Sequence, residues 1–114
     1  PQEPNPGKII DRDFKNQALW NKMGFPSKGA DKVLKNLSRY SKPHPTPIFV
    51  NIGKNRNTPN EAALQDYLCL LERFKDVADA FVVNISSPNT QGLRDLQSPE
   101  NLEKLLTPLV QASR

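Results

Sequence analysis

The 114-residue sequence predicts an α/β fold in which parallel strands alternate with outer helices, as in part of a TIM (β/α)8 barrel. Two short apolar runs, 48–52 and 80–85, have the β-branched and aromatic composition of strands buried on both faces. Helical periodicity precedes, separates and follows these runs, which lie about one βαβ unit apart. Because a complete barrel needs eight such units and about 250 residues, we expect roughly a quarter to a third of one.

Residues 1–28 are predicted to form an irregular leader with one small hairpin or helical turn. They show no sustained period and are interrupted by prolines at 1, 4, 6 and 26 and by glycines at 7 and 24. We expect Trp20 and Phe25 to anchor this leader. Residues 29–114 then supply the βα units, so that the whole chain forms one partial barrel domain.

The first helix is predicted to begin near Gly29 and to end at or before Lys42. Its apolar residues recur at spacings of three and four: Ala30, Val33, Leu34, Leu37 and Tyr40. The prolines at 43, 45 and 47 cannot continue a helix, because each lacks an amide donor and biases its predecessor toward extended backbone.

The second and third helices carry start signals. Residues 58–61, Thr-Pro-Asn-Glu, offer a threonine cap, a proline in the first turn and a glutamate that can return the hydrogen bond. Ser98 and Pro99 open the last helix, in which Pro108 allows a kink or break near Thr107. The apolar faces comprise Ala63, Tyr67, Leu70, Leu71 and Phe74 in the second helix and Leu102, Leu105, Leu106, Leu109 and Val110 in the third.

Composition excludes several classes of protein. No apolar run approaches the roughly 18 residues of a membrane span, and no export signal opens the chain. A single cysteine, Cys69, and a single histidine, His44, exclude a disulfide scaffold and the usual zinc sites, so no metal is expected. We expect Cys69 to be a buried, inert thiol and His44 to be solvated.

The chain has a net charge of +4, but its lysines and arginines are scattered among twelve acidic residues. We therefore expect no nucleic-acid partner. Because the sequence begins at Pro1 and its only methionine is Met23, we also expect it to have been cut from a longer chain.

Asparagines are the second-last residues of both apolar runs, at Asn51 and Asn84. Ligands of parallel α/β proteins gather at the carboxyl ends of the strands, and an unpaired amide is costly to bury. Either asparagine alone could equally well hold nearby backbone, but their equivalent placement favours binding of a planar, polar heterocycle. The turn after the second run adds four neutral polar residues: Ser86, Ser87, Asn89 and Thr90. Turns of this composition are more often ordinary than functional.

The stretches Asn51-Ile-Gly-Lys-Asn55 and Asn84-Ile-Ser-Ser-Pro-Asn-Thr-Gln-Gly-Leu-Arg94 resemble the signature motifs of class 2 dihydroorotate dehydrogenases. In the leader, Pro1-Gln2-x-x-Asn5-Pro6 and Asn21-Lys22-Met23-Gly24-Phe25 are similar to that family's substrate-side region. The proline-rich connection at 41–47 departs from the family pattern. The resemblance implies an FMN enzyme of pyrimidine (UMP) synthesis that oxidises dihydroorotate to orotate and passes electrons to a quinone.

The same resemblance implies roles in proton transfer. Ser87 matches the catalytic base, which takes the proton from C5 of the substrate while a hydride leaves C6 for the flavin. Class 1 relatives have cysteine at this position, so serine selects class 2. Thr90 and Phe25 match the positions that flank the proton relay.

Binding roles follow from the resemblance as well. Asn84 is expected to contact both flavin and substrate, Asn51 the flavin, and Asn89 the substrate. The rest of the substrate site is a single segment: Asn21, Lys22, Met23, Gly24 and Phe25.

The resemblance also implies partners outside these residues. It places the flavin phosphate site, further lysines and a membrane-facing quinone tunnel in other parts of the protein, at the bacterial cytoplasmic or the mitochondrial inner membrane. We therefore expect the isolated 114 residues to be inactive. Two alternatives remain open: another FMN barrel, such as a class 1 dihydroorotate dehydrogenase or a dihydropyrimidine or dihydrouridine reductase, and a noncatalytic α/β module that binds anions.

Overall fold

The computed structural model describes residues 3–40, 45–87 and 92–113, and in them strands and helices alternate as predicted. An antiparallel hairpin of β1 (Ile10–Asp13) and β2 (Ala18–Asn21) comes first. The elements that follow are α1 (Ala30–Leu37), β3 (Phe49–Gly53), α2 (Ala63–Phe74), β4 (Ala80–Asn84) and α3 (Pro99–Ala112). Short 3₁₀ helices at Asn60–Ala62 and Leu93–Gln97 precede α2 and α3.

The leader contains the one hairpin that its sequence allows, but its aromatic residues do not anchor it. Both Trp20 and Phe25 have about half of their surface exposed. The Lys22 ammonium lies 5.9 Å from the centre of the Trp20 ring, on the outside of the molecule. The prediction that these rings hold the leader is therefore wrong, and polar contacts described below do so instead.

Strands β3 and β4 pair in parallel, as expected for a βαβ unit. Their register places Asn51 beside Val82 and Gly53 beside Asn84. The amino-terminal ends are also tied together, because the main-chain N–H of Ile48 donates to the Asp79 carboxylate at 2.7 Å and the Ile48 carbonyl accepts from the Asp79 N–H at 2.8 Å. The carboxyl ends of both strands consequently lie side by side.

The helices cover one face of this two-stranded sheet. Val50 and Ile52 point toward α2, which also contacts α1 and α3. The other face is not covered by the described residues: Phe49 is 66% exposed, and Asn51 and Val82 are exposed beside it. In a barrel this face is directed to the interior, so its burial stays a prediction. The buried core comprises Val50, Ile52, Ala63, Tyr67, Leu71, Phe74, Ala78, Leu93, Leu96, Leu105 and Leu109.

Tyr67 joins the carboxyl ends of the two strands from within the core. Its side chain is fully buried, and its hydroxyl donates to the Asn84 carbonyl at 2.9 Å. The main-chain N–H of Lys54, just after β3, lies near the same hydroxyl. Burial raises the pKa of Tyr67, an effect that the Lys54 N–H partly offsets and the Asp66 carboxylate reinforces, so the phenol remains a proton donor.

The first and last helices largely follow their sequence patterns. α1 ends at Leu37, before the prolines, although Val33 and Tyr40 of its predicted apolar face are exposed. Ser98 caps α3 by accepting from the Asn101 N–H at 3.4 Å, and the helix continues through Pro108 without a break. None of the helices within 3–40, 45–87 and 92–113 is long and apolar enough to span a membrane.

The start of α2 and the position of Cys69 differ from prediction. Thr58 does not cap the helix with its side chain; the 3₁₀ turn intervenes, and the Thr58 carbonyl accepts from the Lys54 ammonium at 2.5 Å. Cys69 is exposed rather than buried, because it lies on the outward side of α2, away from Tyr67 and Leu71. His44 lies outside the described residues.

Removing the Tyr67 hydroxyl tests its role in the core. In the intact natural protein, Tyr67→Phe is expected to lower the free energy of unfolding by about 1–2 kcal/mol, because it leaves the Asn84 carbonyl without its buried donor. Chemical denaturation gives this value. Tyr40→Phe is the matched control: Tyr40 is 65% exposed, and its change should stay within about 0.5 kcal/mol. Equal effects of both substitutions would contradict the assignment.

Candidate active site

A cleft of about 520 Å³ lies between the leader and the loop that follows β4. Its volume is within the range of small-molecule sites. Ser87 is buried, with 7% of its surface exposed, whereas Met23 and Phe25 on the opposite wall are partly open to solvent. The lining residues are Asn21, Met23, Gly24, Phe25, Pro26, Ser86 and Ser87.

One wall of the cleft is formed by Ser86 and Ser87, and hydrogen bonds fix the backbone at and before them. The Asn84 side-chain oxygen accepts from the Ser86 N–H at 3.2 Å, an arrangement typical of asparagine before a turn. From the 3₁₀ helix beyond, the Gln97 amide donates to the Ile85 carbonyl at 3.0 Å and Arg94 Nε to the Ser86 carbonyl at 3.2 Å. Ser87 thus follows two residues whose carbonyls are both held in place.

The leader wall contains two consecutive residues with left-handed backbone. Gly24 has φ of 72°, which glycine adopts readily, but Phe25 has φ of 55°, which is unusual for a bulky side chain. Such a conformation costs about 1–3 kcal/mol and persists only where surrounding contacts enforce it. A strained residue that lines a cleft is consistent with a functional site.

Asn5 is the contact that holds this strained wall. Its side-chain amide donates to the Lys22 carbonyl at 2.6 Å, and its main-chain N–H donates to the Met23 carbonyl at 3.3 Å. A methyl group added at Gly24 would lie 2.9 Å from the Asn5 Nδ2 atom, so the two residues are in tight contact. Arg56 in turn donates to the Asn5 Oδ1 atom at 2.6 Å.

Sequence reasoning missed the structural roles of Asn5 and Arg56. Asn5 is part of the leader motif Pro1-Gln2-x-x-Asn5-Pro6, but that motif does not reveal its partners. Arg56 carries no local signal, since its contact with Asn5 spans 51 positions of the chain.

The structure brings together five of the predicted site residues. Four come from the leader and one from the loop after β4: Asn21, Met23, Gly24, Phe25 and Ser87. Lys22 belongs to the same segment, but its side chain extends over Trp20. Asn89 and Thr90 lie outside the described residues.

The two strand asparagines lie on the sheet rather than in the lining of the cleft. Because Gly53 pairs with Asn84 in a parallel register, and Gly53 shares a face with Asn51, both asparagines belong to the face that the helices leave open. Exposed Phe49 and Val82 lie on that face too. The face therefore combines carboxamide groups with apolar surface.

The cleft is uncharged and mostly apolar, with a few hydroxyl and amide groups. Hydroxyl and amide groups stand beside apolar side chains, an arrangement that suits a small planar molecule with several hydrogen-bonding atoms. Within the described ranges, no group of three or more histidine, cysteine, aspartate or glutamate side chains could hold a metal ion. The candidate nucleophile or base is Ser87.

Comparisons with known proteins give one consistent result. The sequence model of the family described as dihydroorotate dehydrogenase matches residues 1–114. A protein named dihydroorotate dehydrogenase (quinone) from a Nitratiruptor species is 47% identical over 107 residues, which are 94% of this chain and 30% of that protein. A protein of the same name from Deinococcus deserti is 49% identical over 107 residues, 91% of this chain and 29% of that protein.

Solved structures agree with the sequence comparisons. The ligand-free DHODH from Eimeria tenella superposes with a TM-score of 0.85 at 36% identity, covering 98% of this chain and 32% of that one. The similarity confirms the α/β barrel fold, of which the described elements form one part. The chain spans about 30% of the length of the curated relatives it matches.

Two glycines with left-handed backbone test the contact between Asn5 and Gly24. In the intact natural protein, Gly7→Ala introduces backbone strain alone, because nothing lies within 4 Å of the added methyl group. It should lower the free energy of unfolding by about 1 kcal/mol. Gly24→Ala should cost about 1 kcal/mol more, since it also displaces Asn5. Equal losses in chemical denaturation would show that Asn5 does not pack against Gly24.

Proposed function

Since the chain belongs to the dihydroorotate dehydrogenase family, we propose that it forms the substrate-side part of an enzyme that oxidises dihydroorotate to orotate in pyrimidine synthesis. The observation that carries the proposal is the cleft that brings Ser87 against the 21–25 segment. The names of the bacterial relatives support a quinone as the electron acceptor.

The open face of the sheet fits FMN as the cofactor. The Asn51 carboxamide offers a donor and an acceptor, and the Asn84 side-chain nitrogen offers a donor while its oxygen accepts from Ser86. Both groups lie toward the carboxyl ends of the strands, where they suit the heteroatoms of a flavin. Asn51 and Asn84 would hold the cofactor. Bound FMN would supply the acceptor for the hydride that leaves C6 of dihydroorotate.

Ser87 acts as the general base that removes the proton from C5. A serine hydroxyl is a poor base in bulk water, so this role requires a closed site and a relay for the proton. The burial of Ser87 supports a closed site. The resemblance assigns Phe25 and Thr90 to positions beside this relay, and of the two the structure describes Phe25.

The leader segment positions the substrate. The Asn21 amide and the backbone of residues 22–25 provide hydrogen bonds for the carboxylate and ring amides of dihydroorotate. Asn84 adds a contact from the end of β4, and the resemblance assigns a further substrate contact to Asn89, which lies outside the described residues. These groups orient the C5 hydrogen toward Ser87, and orientation of this kind accounts for much of the rate that an enzyme gains.

A quinone acceptor determines where in the cell the intact enzyme works. Respiratory quinones reside in the lipid phase, so the intact enzyme works at a membrane surface. Both the bacterial cytoplasmic membrane and the mitochondrial inner membrane satisfy this requirement.

Substituting the serine tests the mechanism. In the intact natural protein, Ser87→Ala should lower the rate of dihydroorotate oxidation by about a thousandfold, the range expected for loss of a general base, while bound flavin is retained. The rate is measured as orotate formation with a quinone and, in parallel, with fumarate and NAD as acceptors. Ser38→Ala is the control, because Ser38 is an exposed residue at the end of α1. An unchanged rate in Ser87→Ala, or a preference for fumarate or NAD, would overturn the proposal.

A further inference from the structure

The loop after β3, residues 54–58, lies close to the leader and is held in place by hydrogen bonds. Lys54 is buried, with 8% of its surface exposed, and its ammonium donates to the Asn55 carbonyl at 3.2 Å and the Thr58 carbonyl at 2.5 Å. The main-chain and side-chain nitrogens of Asn55 donate to the Asp66 carboxylate on α2 at 2.9 and 3.3 Å. The loop is therefore stabilised by hydrogen bonds within itself and by hydrogen bonds to α2.

Arg56 extends from this loop to the leader. Its Nη2 atom donates to the Asn5 side-chain oxygen at 2.6 Å and to the Glu3 carbonyl at 3.3 Å. Hydrogen bonds from a charged donor are shorter and stronger than those between neutral groups. Arg56 thereby connects the barrel to a segment more than 50 residues away in the sequence.

The contact with Arg56 also sets the orientation of the Asn5 amide. With its oxygen toward the guanidinium, Asn5 directs its nitrogen at the Lys22 carbonyl, 2.6 Å away. Rotating the amide by half a turn would place two donors together and two acceptors together. Together with the Asn5 N–H bond to Met23, this orientation fixes two successive carbonyls next to the left-handed pair Gly24 and Phe25.

We propose that Arg56 and Asn5 are a positioning pair that holds the substrate-side wall, residues 21–25, at the correct distance from Ser87. The inference rests on the proposed function, because it assigns the pair to the site where dihydroorotate binds. Neither residue lines the cleft. Arg56 is exposed, and exposed charged contacts add little to overall stability, so the pair is expected to affect substrate binding far more than folding.

Kinetics in the intact holoenzyme provide the test. Arg56→Ala and Asn5→Ala should each raise KM for dihydroorotate and Kd for orotate by about tenfold, while kcat at saturating substrate changes by less than about threefold. Flavin content and the rate of flavin reoxidation by quinone should be unchanged. KM and Kd of the double variant should be about equal to those of the more severe single variant, because both substitutions break the same chain of contacts.

Two further variants separate positioning from other effects. Asn5→Asp keeps an oxygen for Arg56 but loses the donor to the Lys22 carbonyl, so it should be as defective as Asn5→Ala. Arg56→Lys keeps a cation that can reach one acceptor and should lie between wild type and Arg56→Ala; it also serves if the alanine variant fails to fold. Arg73→Ala is the control, because Arg73 pairs with Asp31 on the outer surface, away from the cleft.

The outcomes distinguish this inference from the proposed function. A wild-type protein that does not oxidise dihydroorotate would remove the proposed function. An active wild type in which Arg56→Ala behaves like Arg73→Ala would remove the positioning pair alone, and so would a loss confined to kcat. Hydrogen exchange gives a readout that is independent of activity: the amides of residues 22–25 should exchange about tenfold faster in Arg56→Ala than in Arg73→Ala.

Discussion

The buried hydroxyl of Tyr67 is the contact on which the geometry of the site depends. It donates to the Asn84 carbonyl at the end of β4 and lies near the main-chain N–H of Lys54, where the chain leaves β3. Both loops that build the site start at these two points: one carries Ser87 and the other carries Arg56. Because a fully buried phenol cannot exchange its partners for water, the two loop origins keep a fixed separation. The core thus positions the cleft as well as stabilising the fold.

Local patterns in the sequence were sufficient to predict the elements that pack against one another. The runs at 48–52 and 80–85 form the parallel pair, α2 buries the predicted face around Tyr67 and Leu71, and Ser98 caps α3. The rule that ligands gather at the carboxyl ends of parallel strands directed the prediction to the loop of Ser87, a residue that lines the cleft. Motif resemblance added the leader segment, which periodicity could not connect with that loop.

What local sequence patterns could not predict depends on tertiary contacts. Apolar composition predicted two-sided burial for β3, but the described residues cover only the helix-facing side, and what covers Phe49 depends on the remaining strands of the barrel. Thr58 is a residue type that often caps helices, but here a 3₁₀ helix lies between it and α2. Its carbonyl accepts a hydrogen bond from the buried Lys54 ammonium. The bond between Arg56 and Asn5 spans 51 positions, so no local window of sequence contains it.

The alternating exposure of β3 means that neighbouring residues of one short strand evolve under different selection. Positions 50 and 52 face the helices, where any apolar side chain of similar volume satisfies the packing. Position 51 lies on the opposite face, where the proposed contact with the cofactor would constrain hydrogen-bonding geometry rather than volume. Natural variation along this strand should therefore have a period of two, with interchange among valine, isoleucine and leucine at one set of positions and near invariance at the asparagine between them.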